Sequence, residues 1–406
     1  MQIGFVNFNT DEKKRVAKMI QLLQESEAIE ELGIGRVRDY FSNTLFPGTS
    51  TLQHHAKYFV VLPALYYYTA FKSRKFQNIT EVRRFIREAE IQITRQMAKW
   101  ENGKIHTNET GITGINTLQD ALNDYQKYVK YNPTYIYGSG LARYGIIPNT
   151  GIERLILELN RKCFENPHSS RPQKNEDLTD DAGDLTGDKQ LIKSCGEIYD
   201  FFNGKSMELS LSEKEAYFLR NRIHASCKGT MLDYLIESRI AIPDGTEYFD
   251  LERILVDLNP DVADVYNKSV LFSKLIHLID WRFNYSYYNS FNKADDKDFC
   301  ESEFIKLFVN YHDDIYNENI YKALFDYIRP IDPMFTDFCE KCYKALLGSD
   351  YSTIDQHVKN REKIVKRERS KIGNPIYREQ LRSKPYPNTF RWGTVRTIVN
   401  EIRNPH

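Results

Sequence analysis

Residues 32–59, LGIGRVRDYFSNTLFPGTSTLQHHAKYF, concentrate side chains that can bind phosphate and move protons. If residues 49–51 begin a helix, their free N–H groups and hydroxyls form an anion site, which nearby cations complete. We therefore predict a phosphate pocket, and the alternative is a capped turn with surface histidines. The phosphate-binding residues of this hypothesis are Arg36, Arg38, Thr49, Ser50, Thr51 and Lys57.

The same segment contains groups that can act in acid–base catalysis. His54 and His55 are adjacent, and imidazole is the side chain best suited to proton transfer near neutral pH. Asp39 can orient a histidine or pair with an arginine. If the pocket is catalytic, we expect His54 or His55 as the general acid/base and Asp39 as its partner. The spacing matches no established catalytic motif, so the reaction stays open.

A basic segment near the end of the chain is a second candidate for binding nucleic acid. Residues 355–406 contain 13 Lys and Arg against 5 Asp and Glu, whereas the whole chain has no net charge. The alternative is a solvated helix that docks on the acidic remainder of the chain. The cations expected to contact phosphates are Lys363, Lys366, Arg367 and Arg369. The aromatic residues that follow and suit base stacking are Tyr377, Tyr386, Phe390 and Trp392.

The stretch LRNRIHAS, residues 219–226, resembles the Arg-and-His signature of small helical RNases called HEPN proteins. That family separates its arginine from its histidine by at least one residue more than the three between Arg220 and His224. Helical i, i+4 spacing still places both side chains on one face. The resemblance implies a metal-independent RNase that joins two copies at the scissile phosphate. The alternative is an amphipathic helix with a surface arginine and histidine.

Cysteine usage and motif searches predict no metal and no cofactor. Cys339 and Cys342 form a C-x-x-C without the further ligands that zinc needs, so we interpret them as two ordinary thiols. The six cysteines are sparse, as in reduced cytoplasmic proteins. The first residues do not resemble a signal peptide, and no apolar run reaches the ~20 residues of a membrane helix. We expect a cytoplasmic protein without a membrane partner.

These side chains must be positioned by helices, because hydrophobic periodicity predicts a mainly α-helical protein with a minor β component. The β component is a short strand over residues 3–8. Residues 132–148, rich in Gly, Pro and Tyr, are predicted to form a loop or hairpin. The main helices are expected over residues 36–45, 50–71 with a break or kink at Pro63, 79–102, 213–226 with Ser212 as its cap, 356–372 and 390–404.

Composition also predicts where the chain divides. Residues 167–190 lack apolar side chains almost entirely, which is typical of a polar linker or exposed loop. We expect an N-terminal α(+β) domain over residues 1–166, a helical domain over 191–350 and a basic helical region over 351–406. The predicted architecture is therefore two helical parts joined by the polar linker.

Five segments resemble a prokaryotic family that is known only as a domain of unknown function. They are VNFNTDEKKRV, ELGIGRVRDYFSNTLFPGTSTLQHHAKYF, IYGSGLARYGI, SEKEAYFLRNRI and FRWGTVRTIVNEI. Members are similar in length, so the resemblance covers most of the chain. They usually carry arginines after the PGTST turn, where this chain has His55 and Lys57. Because genes of the family tend to lie near phage-defence genes, the resemblance implies antiviral defence, with other defence proteins as partners.

Three classes of function remain open from the sequence. The first is a component of a phage-defence system that binds nucleic acid without catalysis. The second is a metal-independent nuclease that uses His54 or His55, or Arg220 and His224. The third is a non-catalytic scaffold or sensor subunit of a defence complex. The neutral net charge mildly favours the third class over a free DNA-binding protein.

Overall fold

The computed structural model describes residues 31–165, 191–197, 199–202, 206–238, 240–243, 245–255 and 257–406. These residues are mainly helical, as predicted, and the β structure among them is an isolated bridge between Glu101 and Lys104. The predicted strand over residues 3–8 and the predicted linker over 167–190 lie outside the described residues. None of the described helices combines the length and the hydropathy that crossing a membrane requires.

Sixteen α-helices are present in the described part of the chain. They are α1 (Gly35–Leu45), α2 (Tyr58–Phe71), α3 (Ile79–Met97), α4 (Leu118–Asn123), α5 (Pro133–Arg143), α6 (Ile152–Glu165), α7 (Glu213–Cys227), α8 (Met231–Glu237), α9 (Leu251–Ile254), α10 (Pro260–Ser290), α11 (Ala294–Asn310), α12 (His312–Ile315), α13 (Glu318–Ile328), α14 (Pro333–Leu347), α15 (Tyr351–Lys366) and α16 (Trp392–Arg403). The helices predicted over residues 36–45, 79–102 and 213–226 are confirmed as α1, α3 and α7, with shifted ends.

The chain forms two compact units, and each is built from two separate parts of the sequence. Unit 1 consists of residues 1–44 and 260–390, and unit 2 consists of residues 45–259 and 391–406. These boundaries differ from those expected from composition, because α16 belongs to the same unit as the long segment 45–259. The basic region expected over residues 351–406 is therefore divided between the units.

Unit 1 is built around the long helix α10, whose middle is buried on nearly every side. Helices α11, α13 and α15 pack against α10, and α14 packs against α15. Aromatic rings fill the core beside α10, where the ring centroid of Phe41 lies 5.5 Å from that of Phe272 and 5.6 Å from that of Phe390. Rings of this size bury much apolar area and stabilise the unit through it.

An irregular segment over residues 378–390 lies against α10. Side chains of α10 donate hydrogen bonds to backbone carbonyls of this segment. Ser273 Oγ donates to the Asn388 carbonyl at 2.9 Å, and Asn284 Nδ2 donates to the Ser383 carbonyl at 2.9 Å. Backbone carbonyls outside helices and sheets need such partners when they are removed from water. This segment therefore explains why Ser273 and Asn284 are polar within the buried part of α10.

Unit 2 is built around α2, which is apolar and buried over most of its length. Helices α3, α5, α6 and α7 pack against it. The sequence predicts a helix over residues 50–71 that breaks or kinks at Pro63, whereas α2 begins at Tyr58 and continues through this proline. The start is late because side chains from distant parts of unit 2 bind the backbone N–H groups of residues 54–56.

The loop or hairpin predicted over residues 132–148 is wrong, because most of this segment forms α5. Pro133 lies in the first turn, where a missing N–H costs no hydrogen bond. The buried carboxylate of Glu90, on α3, accepts from the Thr134 N–H and from the Asn132 side chain, each at 2.6 Å. Burial raises the pKa of this carboxyl to about 7, although the same hydrogen bonds act to lower it. The start of α5 is thus stabilised by another helix.

Candidate functional site

The PGTST turn is held by its own residues and does not begin a helix. Thr49 Oγ1 donates to the Phe46 carbonyl at 2.7 Å, and the Ser50 N–H donates to Gln53 Oε1 at 3.0 Å. Gln53 is fully buried, and its amide also donates to a carbonyl of α5 at 3.2 Å. The helix N-terminus predicted at residues 49–51 is therefore not formed. Phosphate binding by these hydroxyls stays a prediction.

His55 is buried, and both of its ring nitrogens face acceptors. Nδ1 lies 2.7 Å from Glu401 Oε1, and Nε2 lies 2.6 Å from the Thr110 carbonyl oxygen. Because an ionised carboxylate and a carbonyl can only accept, the ring donates twice and is the imidazolium cation. Burial acts to lower the pKa of His55, but the hydrogen bond and the charge of Glu401 raise it above its ordinary value. His55 therefore has no free nitrogen for general base catalysis.

We expect the stability that Glu401 confers to decrease as the pH rises. Since the pKa of His55 is raised, the folded protein binds this proton more tightly than the unfolded chain. The contribution is complete below the unfolded pKa of about 6.5 and is lost as the pH rises through the higher, folded value. Urea unfolding of the wild type and Glu401→Gln from about pH 6 to about pH 9 should give a shrinking difference in free energy of unfolding.

The matched control for this pH prediction is His312→Ala, which removes a histidine whose side chain is 60% exposed. Its difference from the wild type should vary much less with pH, because exposed ion pairs contribute little. A difference between the wild type and Glu401→Gln that stays constant over the same range would contradict the imidazolium assignment of His55.

His54 differs from its neighbour because it is exposed. Its ring has no hydrogen bond to another described residue, and its pKa is lowered by partial burial and by the charge of His55. The backbone N–H groups of both histidines donate to the Tyr137 hydroxyl, at 3.0 and 3.1 Å. Of the two histidines, His54 is thus the one that keeps ring nitrogens available for proton transfer, and this role stays a prediction.

Lys57 is buried and forms an ion pair with Glu215, at the start of α7. Its Nζ lies 2.8 Å from Oε1 and 2.7 Å from Oε2 of this carboxylate, and it donates to the Ser210 carbonyl at 3.1 Å. The Tyr199 hydroxyl and the Ser212 N–H also donate to the carboxylate. All three ammonium hydrogens thus have acceptors inside unit 2. Phosphate binding by Lys57 would require this pair to open.

Arg36, Arg38 and Asp39 belong to unit 1, whereas residues 49–57 belong to unit 2. Arg38 pairs with its neighbour, with its Nε 3.1 Å from Asp39 Oδ1. Arg36 is exposed, and its guanidinium lies 3.9 Å from the Asp332 carboxylate, a long ion pair that solvent screens. A joint phosphate pocket of these arginines with residues 49–57 stays a prediction.

The four cations predicted to bind phosphate in the tail lie at the end of α15 and in the turn after it. We call Lys363, Lys366, Arg367 and Arg369 the cationic patch. α15 ends at Lys366, earlier than the helix predicted over 356–372, and none of the patch side chains has an ion pair with another described residue. Two neighbouring cations, in contrast, have partners within the protein. Arg361 donates to the Leu32 carbonyl at 3.0 Å, and Lys371 lies 2.8 Å from the Glu31 carboxylate.

Two of the four aromatic residues predicted to stack on bases are buried. Phe390 and Trp392 are each 2% exposed, and the Trp392 indole N–H donates to the Thr246 carbonyl at 2.8 Å. The prediction that these two rings stack on bases is therefore wrong, because both are used in hydrophobic packing. Tyr386 is 69% exposed and remains accessible.

His224 is oriented by a carboxylate of the next helix. Its Nδ1 lies 2.9 Å from Asp233 Oδ1, and Arg220 precedes it by one turn on α7. The potential metal ligand atoms of His224, Asp233 and Glu237 all lie within 4.8 Å of one another. The sequence prediction of no metal site overlooked these residues, because His-x8-Asp-x3-Glu spans a turn between two helices and matches no single-helix motif. RNase activity through Arg220 and His224 stays a prediction.

The six cysteines all carry free thiols. Cys339 and Cys342 are buried on α14, and burial raises the pKa of both thiols. A raised thiol pKa opposes the thiolate form that nucleophiles and metal ligands require. The interpretation of this C-x-x-C as two ordinary thiols is in agreement with their surroundings.

Comparisons with known proteins identify one family. Residues 1–156 match the sequence profile of DUF6361, a family of unknown function. This match contains the PGTST turn, both adjacent histidines and all of α5, but it ends before α7 and α16. No curated protein and no solved structure matches the chain.

Proposed function

We propose that the protein binds nucleic acid through the phosphate backbone, as a component of a prokaryotic antiviral defence system. The observation that supports this proposal is the cationic patch, in which four positive side chains follow one another closely without an ion pair among the described residues. A cation that is paired within the protein must lose its partner before it can bind phosphate. The cations of the patch have no partner among the described residues that phosphate would have to replace, and each phosphate contact releases counterions from the nucleic acid.

The burial of two aromatic residues of the tail favours contacts with phosphates over contacts with bases. Phe390 and Trp392, which would supply stacking surfaces, are buried. Sequence-specific recognition needs hydrogen bonds to base edges or exposed rings, whereas Lys and Arg contacts to phosphates carry no sequence information directly. The proposal is therefore for binding that depends strongly on salt and weakly on sequence, to DNA or RNA.

The wider proposal of antiviral defence is supported by resemblance. The match of residues 1–156 to DUF6361 contains three of the five segments that resemble a family of unknown function, and the genomic neighbours of that family imply defence. A nucleic-acid-binding subunit of such a system works with other defence proteins, and we propose these as partners in the cytoplasm. Catalysis is not part of the proposal, because His55 and Lys57 are occupied by Glu401 and Glu215.

Neutralising the cationic patch is expected to weaken nucleic-acid binding at least about tenfold at low salt. The variant replaces Lys363, Lys366, Arg367 and Arg369 by glutamine. Fluorescence anisotropy with labelled single-stranded RNA and double-stranded DNA measures the dissociation constant over a series of salt concentrations. Because each phosphate contact contributes about 0.9 to the salt slope on duplex DNA, the slope should fall by up to about 3–4.

The matched control removes the same number of positive charges elsewhere. It replaces the exposed lysines Lys75, Lys104, Lys127 and Lys322 by glutamine, and these have no ion pair among the described residues. This control should bind within about twofold of the wild type, because its cations are far apart in sequence and divided between the two units. An equal loss of affinity in both variants would show a general effect of charge. Wild-type binding that does not change with salt concentration would overturn the proposal.

A further inference from the structure

Two helices of unit 2, α7 and α8, bring a group of potential metal ligands together. α7 packs against α8, and α16 packs against both. His224 lies near the end of α7, and Asp233 and Glu237 lie one turn apart on α8. We call these three residues the His224 cluster. Its ligand atoms lie within 4.8 Å of one another, so one ion can contact all three.

The central residue of the His224 cluster is held in place before any ion binds. Asp233 is 7% exposed, and its Oδ2 accepts from the Gly229 N–H at 3.3 Å. Its own N–H donates to the Thr230 hydroxyl, which caps α8. His224 and Glu237 are exposed, so an ion can enter from solvent. A fixed carboxylate between two accessible ligands is the arrangement that lowers the cost of assembling a site.

The donor set matches a divalent transition metal. One imidazole nitrogen and two carboxylate oxygens are ligands that zinc and manganese accept at about 2.0–2.2 Å. Two such ligands at neighbouring coordination positions are about 3 Å apart, close to the 2.9 Å between His224 Nδ1 and Asp233 Oδ1. The ion would then replace the proton that these two atoms share. Three protein ligands leave coordination positions open, as in catalytic rather than structural metal sites.

A second observation next to the cluster indicates an anionic ligand. Arg220 Nε and Arg403 Nη1 are buried, and neither atom has a hydrogen-bond partner in the part of the chain that the structure describes. Burial lowers the pKa of Arg403, and the nearby charge of Arg220 adds to this effect. Two guanidinium groups held close together with unused donors are costly unless an anion pairs with them. Arg220 precedes His224 by one helical turn, so these two side chains lie on the same face of α7.

We propose that His224, Asp233 and Glu237 bind a divalent transition-metal ion, and that Arg220 and Arg403 bind a phosphate-class anion beside it. The inference does not depend on the cationic patch, which belongs to unit 1, whereas every residue named here belongs to unit 2. The metal balances the two carboxylates, and the anion balances the two arginines. Each of the two ligands therefore compensates a charge that the folded chain leaves unbalanced.

Equilibrium dialysis of the full chain against Mn²⁺, with any affinity tag removed, tests the metal-binding part of the proposal, called the metal half below. We expect one equivalent per chain and a loss of affinity of at least about tenfold in His224→Ala and in Glu237→Gln. Both side chains are exposed, so these variants should fold. Mn²⁺ should raise the melting temperature of the wild type and not that of the variants.

The control for the metal half is His312→Ala. His312 has a neighbouring carboxylate, with Nδ1 3.2 Å from Asp313 Oδ1, and lies outside the only three-ligand group found among the described residues. Mn²⁺ affinity should be unchanged in this variant. Binding below one equivalent in the wild type, or equal binding in the wild type, His224→Ala and Glu237→Gln, would overturn the metal half.

The anion half is tested by adding inorganic phosphate to the same dialysis. Phosphate should increase the affinity for Mn²⁺ several-fold in the wild type, because the two ligands bind next to each other and their binding is linked. Arg220→Gln should abolish this increase while it retains Mn²⁺ binding without phosphate. No effect of phosphate on the wild type, or the same effect in Arg220→Gln, would overturn this half.

Discussion

Replacing Lys57 by methionine is expected to lower the free energy of unfolding by about 3–5 kcal/mol. The ammonium group contacts both oxygens of Glu215, at 2.8 and 2.7 Å, and the side chains of both partners are almost completely buried. Without it, the Glu215 carboxylate stays buried as an uncompensated charge. Methionine keeps most of the length of the lysine side chain, so the lost charge dominates the effect. Urea unfolding at neutral pH measures the change.

Two further variants make the Lys57 prediction specific. Arg154→Met removes an exposed ion pair with Glu158 and should cost less than about 1 kcal/mol. Lys57→Met combined with Glu215→Gln should recover part of the loss, because no buried charge is left unpaired. A loss for Lys57→Met as small as that for Arg154→Met would contradict the buried pair. Weaker nucleic-acid binding with unchanged stability would instead support the phosphate role predicted from sequence.

The helices that could be predicted from the sequence carry their signals within a few residues. At the start of α7, Ser212 Oγ accepts from the Glu215 N–H, and the Glu215 side chain accepts from the Ser212 N–H. At the start of α3, the Asn78 side chain accepts from the Glu81 N–H at 3.0 Å. The partners of each cap lie three positions apart, so such caps can be recognised in any single sequence. The apolar periodicity after each cap then predicts the buried face.

The two largest errors in the predicted fold arise where distant residues, and not neighbouring ones, determine the structure. α5 has weak local signals, and its first turn is stabilised by Glu90, which lies on another helix. The late start of α2 depends on the Tyr137 hydroxyl and the Glu401 carboxylate, which bind the N–H groups of residues 54–56. These partners are far away in sequence, and tertiary contacts of this kind override local preference. The residues next to either segment in the sequence therefore do not predict where α5 forms or where α2 begins.

The candidate site shows the same division between type and role. Residue types alone predict residues 49–57 as part of a polar site. They do not reveal that Glu401 occupies His55 and that Glu215 occupies Lys57. The adjacent histidines therefore have different surroundings, because the partner of His55, Glu401, lies 346 positions later in the sequence.

For part of the tail, in contrast, helical periodicity predicts which cations are buried. Arg361 continues the buried stripe formed by Ile354 and Val358 along α15, and it is 8% exposed. Lys363 lies off that stripe and is exposed. Helical spacing of three and four residues thus separates a structural cation from an accessible one. The same rule could not reveal the fate of Lys371, because it lies beyond the end of the helix and pairs with Glu31.

Adding a single methyl group at Gly140 should destabilise the protein, whereas the same change two residues earlier should stabilise it. A Cβ at Gly140 would lie 2.5 Å from the Gly48 carbonyl oxygen and 2.7 Å from Cε1 of Phe59. The first of these atoms is backbone of the PGTST turn, so the turn or α5 must move. Overpacking of this kind costs about 1–3 kcal/mol, which exceeds the gain of up to about 1 kcal/mol from alanine in a helix. Gly140→Ala should therefore lower the free energy of unfolding.

Gly138 is the matched control because it lies on the same helix and a Cβ there would meet nothing within 4 Å. Gly138→Ala should raise the free energy of unfolding by about 0.5–1 kcal/mol, through helix propensity and a less flexible unfolded chain. Opposite signs for the two alanines, measured by urea unfolding, are the expected result. If both stabilise, α5 does not approach the turn as closely as described. The hydrogen bonds that fix Gln53 between the turn and α5 would then not restrain this segment.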